Sequence, residues 1–177
     1  MQGAKRILIL GEGDGRFLSH LLSLNPGAAV NVIELSPEMI ALARQRIPET
    51  ANIQFHQADA RKQLPAGGPY DLIVTHFFLD CFSETEAAAL IGAITKLLAP
   101  QGVWLVTEFY EPPKGLRRVH ARIWLWAMYL FFRLGANLQP HALPGYAGIL
   151  RRNGLILAAE HTTRFGLIVS QIWRKPD

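Results

Sequence analysis

The sequence contains one cysteine, Cys81, and no apolar run long enough to cross a bilayer. A single cysteine excludes an internal disulfide framework and a cysteine-based zinc cluster, so a reducing cytoplasm is the expected location. The most apolar stretch, residues 123–132, is far shorter than the roughly 20 residues of a membrane-spanning helix. The N-terminal residues lead directly into a strand-like segment without a secretory h-region. We therefore expect a cytoplasmic protein that is not integral to a membrane.

Strong charge of either sign is also lacking, because 18 Lys and Arg residues stand against 14 Asp and Glu residues, for a formal net charge of +4. The arginines are dispersed, apart from pairs at 117–118 and 151–152, and no basic stripe alternates with aromatic residues. A nucleic acid is therefore not expected as a partner. No repeat or low-complexity linker divides the 177 residues, so a single domain over 1–177 is predicted.

Short apolar runs alternate with helical patterns, which is typical of βα units around a mainly parallel sheet. The predicted strands one to five are residues 6–10, 29–35, 52–59, 70–77 and 103–109. The predicted helices are residues 15–24, 37–46, a helix that starts after Ser83, 116–134 and 144–152, and residues 100–102 are predicted as a turn. The last two apolar runs, 155–163 and 166–175, are too close in sequence for a crossover helix, so we expect an antiparallel hairpin.

A glycine-rich loop follows the first predicted strand in the sequence ILILGEGDGR, residues 7–16. Its glycines are Gly11, Gly13 and Gly15. The dinucleotide fingerprint needs its third glycine one place later, where this chain has Arg16, and the acids Glu12 and Asp14 would repel a pyrophosphate. A ligand with a cation, a ribose and an adenine fits better, because the ammonium and sulfonium of S-adenosylmethionine are compatible with carboxylates.

Two further acids lie at the ends of the second and third predicted strands. Glu34 lies roughly 20 residues after the loop, where a carboxylate can accept hydrogen bonds from both ribose hydroxyls. Asp59 ends the third strand and could accept from the adenine amino group. The carboxyl ends of parallel strands meet at one sheet edge, where open α/β sheets bind ligands. Together the three features predict a site for an adenosyl sulfonium.

The chain resembles the class I S-adenosylmethionine-dependent methyltransferases over essentially its whole length. The segments that carry the resemblance are ILILGEGDGRF, VNVIELSPEMIALAR, FHQADA, YDLIVTHFFLDCF and LLAPQGVWLVTEF. The resemblance implies an α/β fold with a Rossmann-like, doubly wound seven-stranded sheet in the order 3-2-1-4-5-7-6, mainly parallel with an antiparallel C-terminal strand. It also implies S-adenosyl-L-methionine as the cofactor and methyl transfer to a small-molecule acceptor, for which a hydrophobic or aromatic compound is expected.

The resemblance also assigns parts of the cofactor to particular residues. The loop glycines would line the methionine portion, and Glu34 would hold the ribose. Asp59 and Ala60 would cap the adenine, with Met39 near the ribose–adenine plane. The full predicted cofactor-binding set is Gly11, Glu12, Gly13, Gly15, Glu34, Leu35, Met39, Asp59, Ala60, Thr75 and His76.

The chain departs from the family pattern near the loop. Many relatives carry an acid two residues before the first glycine, whereas this sequence has Ile9 there, and we interpret Glu12 as the source of the missing charge. Relatives usually carry one or two helices ahead of the first strand. Here the strand begins within about five residues of Met1, so the cofactor is expected to need another cover.

Other functions stay open. The segment LGEGDG is also similar to the aminopropyltransferases, but residues 75–80 are largely apolar where that family carries acids to hold a polyamine. A non-catalytic S-adenosylmethionine-binding interaction domain is a second alternative, because no general base is assured. A nicotinamide-dependent oxidoreductase is disfavoured by Arg16 and by the terminal hairpin.

His76 and Asp80, just beyond the fourth strand, are the candidate catalytic residues. In-line alignment can supply most of the acceleration of methyl transfer, so a base is useful only for a hydroxyl acceptor. His76 would serve as that base, or else would only line the pocket. Asp80 is a second candidate, or caps the following helix. No metal site is predicted, because the remaining histidines lack a metal-ligand spacing.

A helical insert of about 114–138 follows strand five. Its segment 116–134 is apolar on nearly every face between residues 123 and 132, and a helix of this kind needs burial on more than one side. It could cover an apolar substrate pocket, form a homodimer interface, rest on a membrane surface, or pack within the chain's own core.

Overall fold

The computed structural model describes residues 3–110, 145–163 and 167–176. Its strands are β1 Arg6–Leu10, β2 Ala29–Glu34, β3 Ile53–Gln57, β4 Tyr70–His76, β5 Leu98–Phe109, β6 Ile156–Thr163 and β7 Ile168–Arg174. Its helices are α1 Arg16–Leu24, α2 Pro37–Arg46, α3 Glu84–Leu97 and α4 Tyr146–Arg152, with a 3-10 turn at Leu79–Cys81. The predicted insert at 114–138, with the predicted helix and dimer interface at 116–134, lies outside the described residues.

The seven strands form one sheet in the order β3-β2-β1-β4-β5-β7-β6. The pairs from β3 through β5 are parallel, whereas β7 is antiparallel to both of its neighbours. This order confirms the predicted fold class, and it confirms the hairpin at the C-terminal end. The carboxyl ends of β1 to β5 therefore share one edge of the sheet.

The central strands β1 and β4 are buried on both faces, which explains their continuous apolar runs. Ile7 and Ile9 of β1 pack in a cluster with residues of α1, such as Leu18. Leu8 and Leu10 point to the other face and pack in a cluster with residues of α3 and α4. The period of two along β1 thus divides its side chains between two cores. Within the described ranges, no helix combines the length and apolar character needed to cross a membrane.

Local sequence signals set most helix boundaries. Ser36 caps α2 by accepting a hydrogen bond from the Met39 amide at 3.2 Å, and Pro37 occupies the first helical position. Ser83 and Glu86 form the predicted capping box of α3. At the end of α4, Gly154 adopts a φ of 81°, which ends the helix as expected for a glycine there.

The start of β5 differs from the prediction. The strand begins at Leu98 rather than at 103, and the predicted turn residues 100–102 lie inside it. Tyr70 of β4 pairs with Leu98, but Leu72 pairs with Val103, so the register shifts between these pairs. The extra residues on β5 form an irregularity in the strand, which the turn-forming residues accommodate.

Candidate functional site

The glycine loop connects β1 to α1 at the carboxyl edge of the sheet, and its three glycines have different surroundings. A Cβ atom at Gly15 would lie 2.6 Å from the Cα atom of Ala43, so this glycine permits α1 to approach α2. A Cβ atom at Gly11 would lie 2.7 Å from the Phe78 ring. A Cβ atom at Gly13, where φ is 69°, would meet nothing within 4 Å. Gly13 therefore leaves bare backbone beside open space, as a cradle for a ligand requires.

Glu34, at the end of β2, holds the loop against the start of α2. Its Oε2 atom accepts a hydrogen bond from the Gly13 amide at 3.1 Å, and Oε1 accepts one from the Ser36 amide at 3.0 Å. Each carboxylate oxygen has a second lone pair that remains available to a ligand hydroxyl. Leu35 and Met39, next to it, are 63% and 39% exposed. The site thus combines a fixed carboxylate with exposed apolar side chains.

The two acids of the loop occupy different environments. Asp14 forms ion pairs with Arg16 at 2.9 Å and with Arg46 at 3.2 Å. The Oε1 atom of Glu12 accepts a hydrogen bond from the Leu18 amide at 2.8 Å, while Oε2 is buried without a partner among the described residues. Burial raises the pKa of Glu12 to about 7, against a lowering effect of the Leu18 amide. Glu12 caps α1, and its second oxygen is a buried acceptor without a described donor.

Asp59, which follows β3, is already engaged by a neighbouring arginine. Its carboxylate accepts hydrogen bonds from the amide of Arg61 and from the guanidinium, at 2.8 to 3.1 Å. Arg61 also bonds to Glu86 at 3.0 Å, and its hydrogen bond to Asp59 lowers the pKa of that carboxyl. Ala60 is buried beside it. Asp59 lies at the predicted edge, but Arg61 occupies both of its oxygens.

Thr75 and His76 end β4, and only His76 presents a polar atom without a partner. The Thr75 side chain is fully buried and accepts a hydrogen bond from Trp104 Nε1 at 3.0 Å. The His76 ring packs edge-on against Phe17, with 4.3 Å between centroids. Its Nε2 atom is buried without a partner among the described residues, and burial lowers the pKa of His76 to about 4. His76 is therefore neutral near pH 7.

Asp80 lies next to a buried acid that sequence reasoning did not single out, Glu108 of β5. Glu108 is 1% exposed, and its Oε1 atom accepts hydrogen bonds from the amides of Phe78 at 3.1 Å and Leu79 at 2.8 Å. Burial and the charge of Asp80 raise the pKa of Glu108 well above its usual value, and burial raises that of Asp80 as well. An acid inside the apolar run VWLVTEF is the signal that could have identified it.

A doubly wound sheet with a glycine loop and an acid at the ends of β1 and β2 defines a class of nucleotide- or adenosyl-binding α/β proteins. Within that class, the chain belongs to the class I S-adenosylmethionine-dependent methyltransferases, because the family model for the methyltransferase domain matches residues 7–102. Within the described residues, no group of three or more histidine, cysteine or acidic side chains is arranged to hold a metal ion.

Known methyltransferases are similar in sequence. The chain is 35% identical over 112 residues to a demethylmenaquinone methyltransferase of Thermus thermophilus, covering 63% of this chain and 50% of that protein. It is 34% identical over 148 residues to a trans-aconitate 2-methyltransferase of Methylobacterium radiotolerans, covering 78% of this chain and 55% of that protein. The chain thus spans about half the length of these curated relatives.

Solved structures share the fold. An O-methyltransferase family protein from Burkholderia thailandensis matches with a TM-score of 0.77 and 23% identity, covering 99% of this chain and 52% of that one. The N-methyltransferase NodS from Bradyrhizobium japonicum, in complex with S-adenosyl-L-homocysteine, matches with a TM-score of 0.73 and 20% identity, covering 98% of this chain and 79% of that one.

Proposed function

We propose that this chain binds S-adenosyl-L-methionine at the carboxyl edge of the sheet and transfers its methyl group to a small acceptor. The observation that carries the proposal is the Glu34 carboxylate, which bridges the Gly13 and Ser36 amides and keeps lone pairs for the two ribose hydroxyls. Exposed Leu35 and Met39 offer an apolar surface for the adenosine beside it. The bare backbone at Gly13 gives room for the methionine portion.

The site offers different interaction partners to the methionine end and to the adenine end of the cofactor. Glu12 Oε2, buried without a described partner, suits a cationic group of the methionine end. At the adenine end, Asp59 would accept the amino group only in exchange for part of its bonding to Arg61, while Ala60 lines the same edge. Thr75 would contribute through its backbone, because its hydroxyl is committed to Trp104.

Calorimetry with four ligands tests the proposal. S-adenosylmethionine and S-adenosylhomocysteine should bind, whereas decarboxylated S-adenosylmethionine and NADH should bind much more weakly. Preferential binding of the decarboxylated ligand would support the aminopropyltransferase alternative. Preferential binding of NADH would support a nicotinamide-dependent enzyme, and no binding of any of the four would refute the proposal.

A pair of variants tests the role of Glu34. Glu34→Ala removes the acceptor of both ribose hydroxyls and should weaken S-adenosylhomocysteine binding at least tenfold, since each hydrogen bond to a charged group is worth about 1.5–3 kcal/mol. Asp14→Asn is the matched control, because it removes a loop carboxylate that only pairs with surface arginines. Equal affinities of the two variants would contradict the assignment.

The arrangement supports catalysis by alignment more than by a strong base. When bound, S-adenosylmethionine supplies an electrophilic methyl group that passes to the acceptor and leaves S-adenosylhomocysteine. The neutral His76 can accept a hydrogen bond from an acceptor hydroxyl through Nε2, but a pKa of about 4 makes it a weak base. Burial raises the pKa of Asp80, so its carboxyl group would serve as a hydrogen-bond donor near the acceptor rather than as a base.

The edge beside His76 favours an aromatic acceptor. Phe77 is 40% exposed and packs against Phe109 with 4.7 Å between ring centroids, and Tyr110 is 37% exposed. An aromatic acceptor can stack on such rings. Among the acceptors that name the relatives, demethylmenaquinone suits this edge better than trans-aconitate.

Turnover measurements test the acceptor class. Methyl transfer from labelled S-adenosylmethionine should be detected with a demethylated naphthoquinone and not with trans-aconitate. Transfer to trans-aconitate alone would overturn the preference for an aromatic acceptor. If the cofactor binds but its methyl group is transferred to neither compound and to no member of a wider panel of phenols and amines, the result would instead favour a non-catalytic binding domain.

A further inference from the structure

Glu108 caps the 3-10 turn at Leu79–Cys81 from a neighbouring strand. The residue before this turn, Phe78, has no side chain that could cap it, so the first amides of the turn need an acceptor from elsewhere. Oε1 of Glu108 supplies it, accepting from the amides of both Phe78 and Leu79. The bonds join residues that are 29 and 30 positions apart in sequence. Glu108 therefore fixes where the chain goes after β4.

The segment that Glu108 fixes lies against the glycine loop. The Phe78 ring is so close to Gly11 that a Cβ atom there would lie 2.7 Å from it. Phe77 adopts a φ of 49°, which is unusual for a bulky residue, and its amide donates to the Thr107 carbonyl at 2.7 Å. A strained residue of this kind persists only where the surrounding contacts hold it. Two adjacent residues of β5 supply those contacts.

We propose that Glu108 is a positioning residue for the cofactor site, acting through Phe78 on the backbone of the glycine loop at Gly11. The inference rests on the proposed function, because it concerns the same cofactor cleft. Glu108 itself is buried beneath the turn and is not assigned a contact with the cofactor. By fixing the turn, Glu108 holds the Phe78 ring in the position where it restricts the backbone of the glycine loop at Gly11.

The charge of Glu108 is not needed for this role. Its carboxyl lies near the titratable groups of Asp80 and Cys81 of the turn and Tyr146 of α4, and no described cation pairs with it. Two neighbouring buried carboxyls resist ionising together, which raises the pKa of Glu108 and adds to the effect of its burial. A neutral glutamine can accept the same two amide bonds. Glu108→Gln is therefore the conservative variant, and Glu108→Ala removes the acceptor.

The experiment compares these two variants with Val169→Ala, which truncates the buried residue paired with Glu108 on β7 and removes no hydrogen bond to the turn. The full chain is used, with S-adenosylhomocysteine as the calorimetric probe and amide hydrogen exchange as the second readout. Glu108→Ala should weaken binding at least tenfold and speed exchange at Phe78, Leu79 and Gly11. Glu108→Gln should stay within about threefold of the wild type, and Val169→Ala should lose thermal stability without losing affinity.

Each contrary result has a distinct meaning. Unchanged affinity and unchanged Gly11 exchange in Glu108→Ala, or an equal loss of affinity in Val169→Ala, would overturn the inference. If the wild type does not bind the probe, the proposed function fails, and Gly11 exchange still decides whether Glu108 controls the loop. If Glu108→Ala does not fold, Phe78→Leu replaces it: weaker binding with Leu79 still protected supports the inference, and unchanged binding refutes it.

Discussion

At the scale of single residues, the acids between the loop glycines have separate roles. Asp14 is neutralised by Arg16 and Arg46 at the surface, where such pairs contribute little to stability. Glu12 turns inward and caps α1, with one oxygen unpaired among the described residues. The interpretation that Glu12 replaces the acid absent at Ile9 stays a prediction, and the buried position of the carboxylate supports it.

Glu12 should make cofactor affinity depend on pH. Its pKa of about 7 means that ionisation increases between pH 6 and 8, so the affinity for the cationic S-adenosylmethionine should rise by up to about tenfold over that range if only the carboxylate form binds. Calorimetry at several pH values measures this rise. In Glu12→Gln the rise should be absent.

Asp14→Asn is the control for this measurement, because it removes a surface acid of the same loop and should keep the pH dependence, with a midpoint slightly lower because the charge of Asp14 contributes to the raised pKa of Glu12. The amino group of the ligand also titrates near pH 8, but it does so equally with every variant. The same pH dependence in Glu12→Gln as in the wild type would show that Glu12 does not supply the charge.

At the scale of elements, the glycines separate packing from ligand binding. Gly15→Ala combines a positive φ with a 2.6 Å approach to the Cα atom of Ala43, and should lower the free energy of unfolding by about 2–4 kcal/mol. In Gly13→Ala the new Cβ contacts nothing, so only the positive φ is unfavourable, and the free energy of unfolding should fall by about 1–2 kcal/mol. Relative to this smaller loss of stability, Gly13→Ala should weaken cofactor binding more than Gly15→Ala does. Urea denaturation and calorimetry measure the two effects. A reversed order of stabilities would contradict the packing role of Gly15.

Local patterns predicted most elements correctly because the signals are local. The capping box at Ser83 and Glu86 and the stop at Gly154 act within a few residues, so periodicity and caps suffice. The predicted start of β5 was wrong because pairing with β4 decides whether residues 100–102 form a turn or continue as an irregular strand. The sequence of these three residues alone does not indicate that they pair with a neighbouring strand.

The site was predictable only where chain order places a residue at the sheet edge. Glu34 is a predicted site residue because it lies at the end of the second strand, and its carboxylate accepts a hydrogen bond from the Gly13 amide of the loop. Thr75 also lies at that edge, but its hydroxyl is committed to Trp104, 29 positions away. Glu108 and its contact with Phe78 depend on the same kind of distant pairing. Contacts of this range appear only once the strands are assembled.

At the scale of the whole molecule, carboxyl groups with raised pKa values lie at several places along the carboxyl edge of the sheet. Glu12 belongs to the β1–α1 loop, whereas Glu108 and Asp80 lie at the ends of β5 and β4. Burial raises the pKa of all three. A folded state that holds protons more tightly than the unfolded chain loses stability as pH rises. His76 has the opposite shift, but between its ordinary value and a pKa of about 4 it affects only acidic solutions.

The cofactor-free protein should therefore be less stable at pH 8 than at pH 6.5. For Glu12 the loss begins above the ordinary glutamate pKa of 4.5 and is complete above about 7, and for the Glu108–Asp80 pair it continues to higher pH. The midpoint of urea denaturation, measured between pH 6.5 and 8, should fall. Glu12→Gln and Glu108→Gln should each reduce the fall, and the double variant should reduce it further than either single variant. A midpoint that rises with pH in the wild type, or an equal fall in the double variant, would show that these carboxyls are ionised in the folded protein at neutral pH.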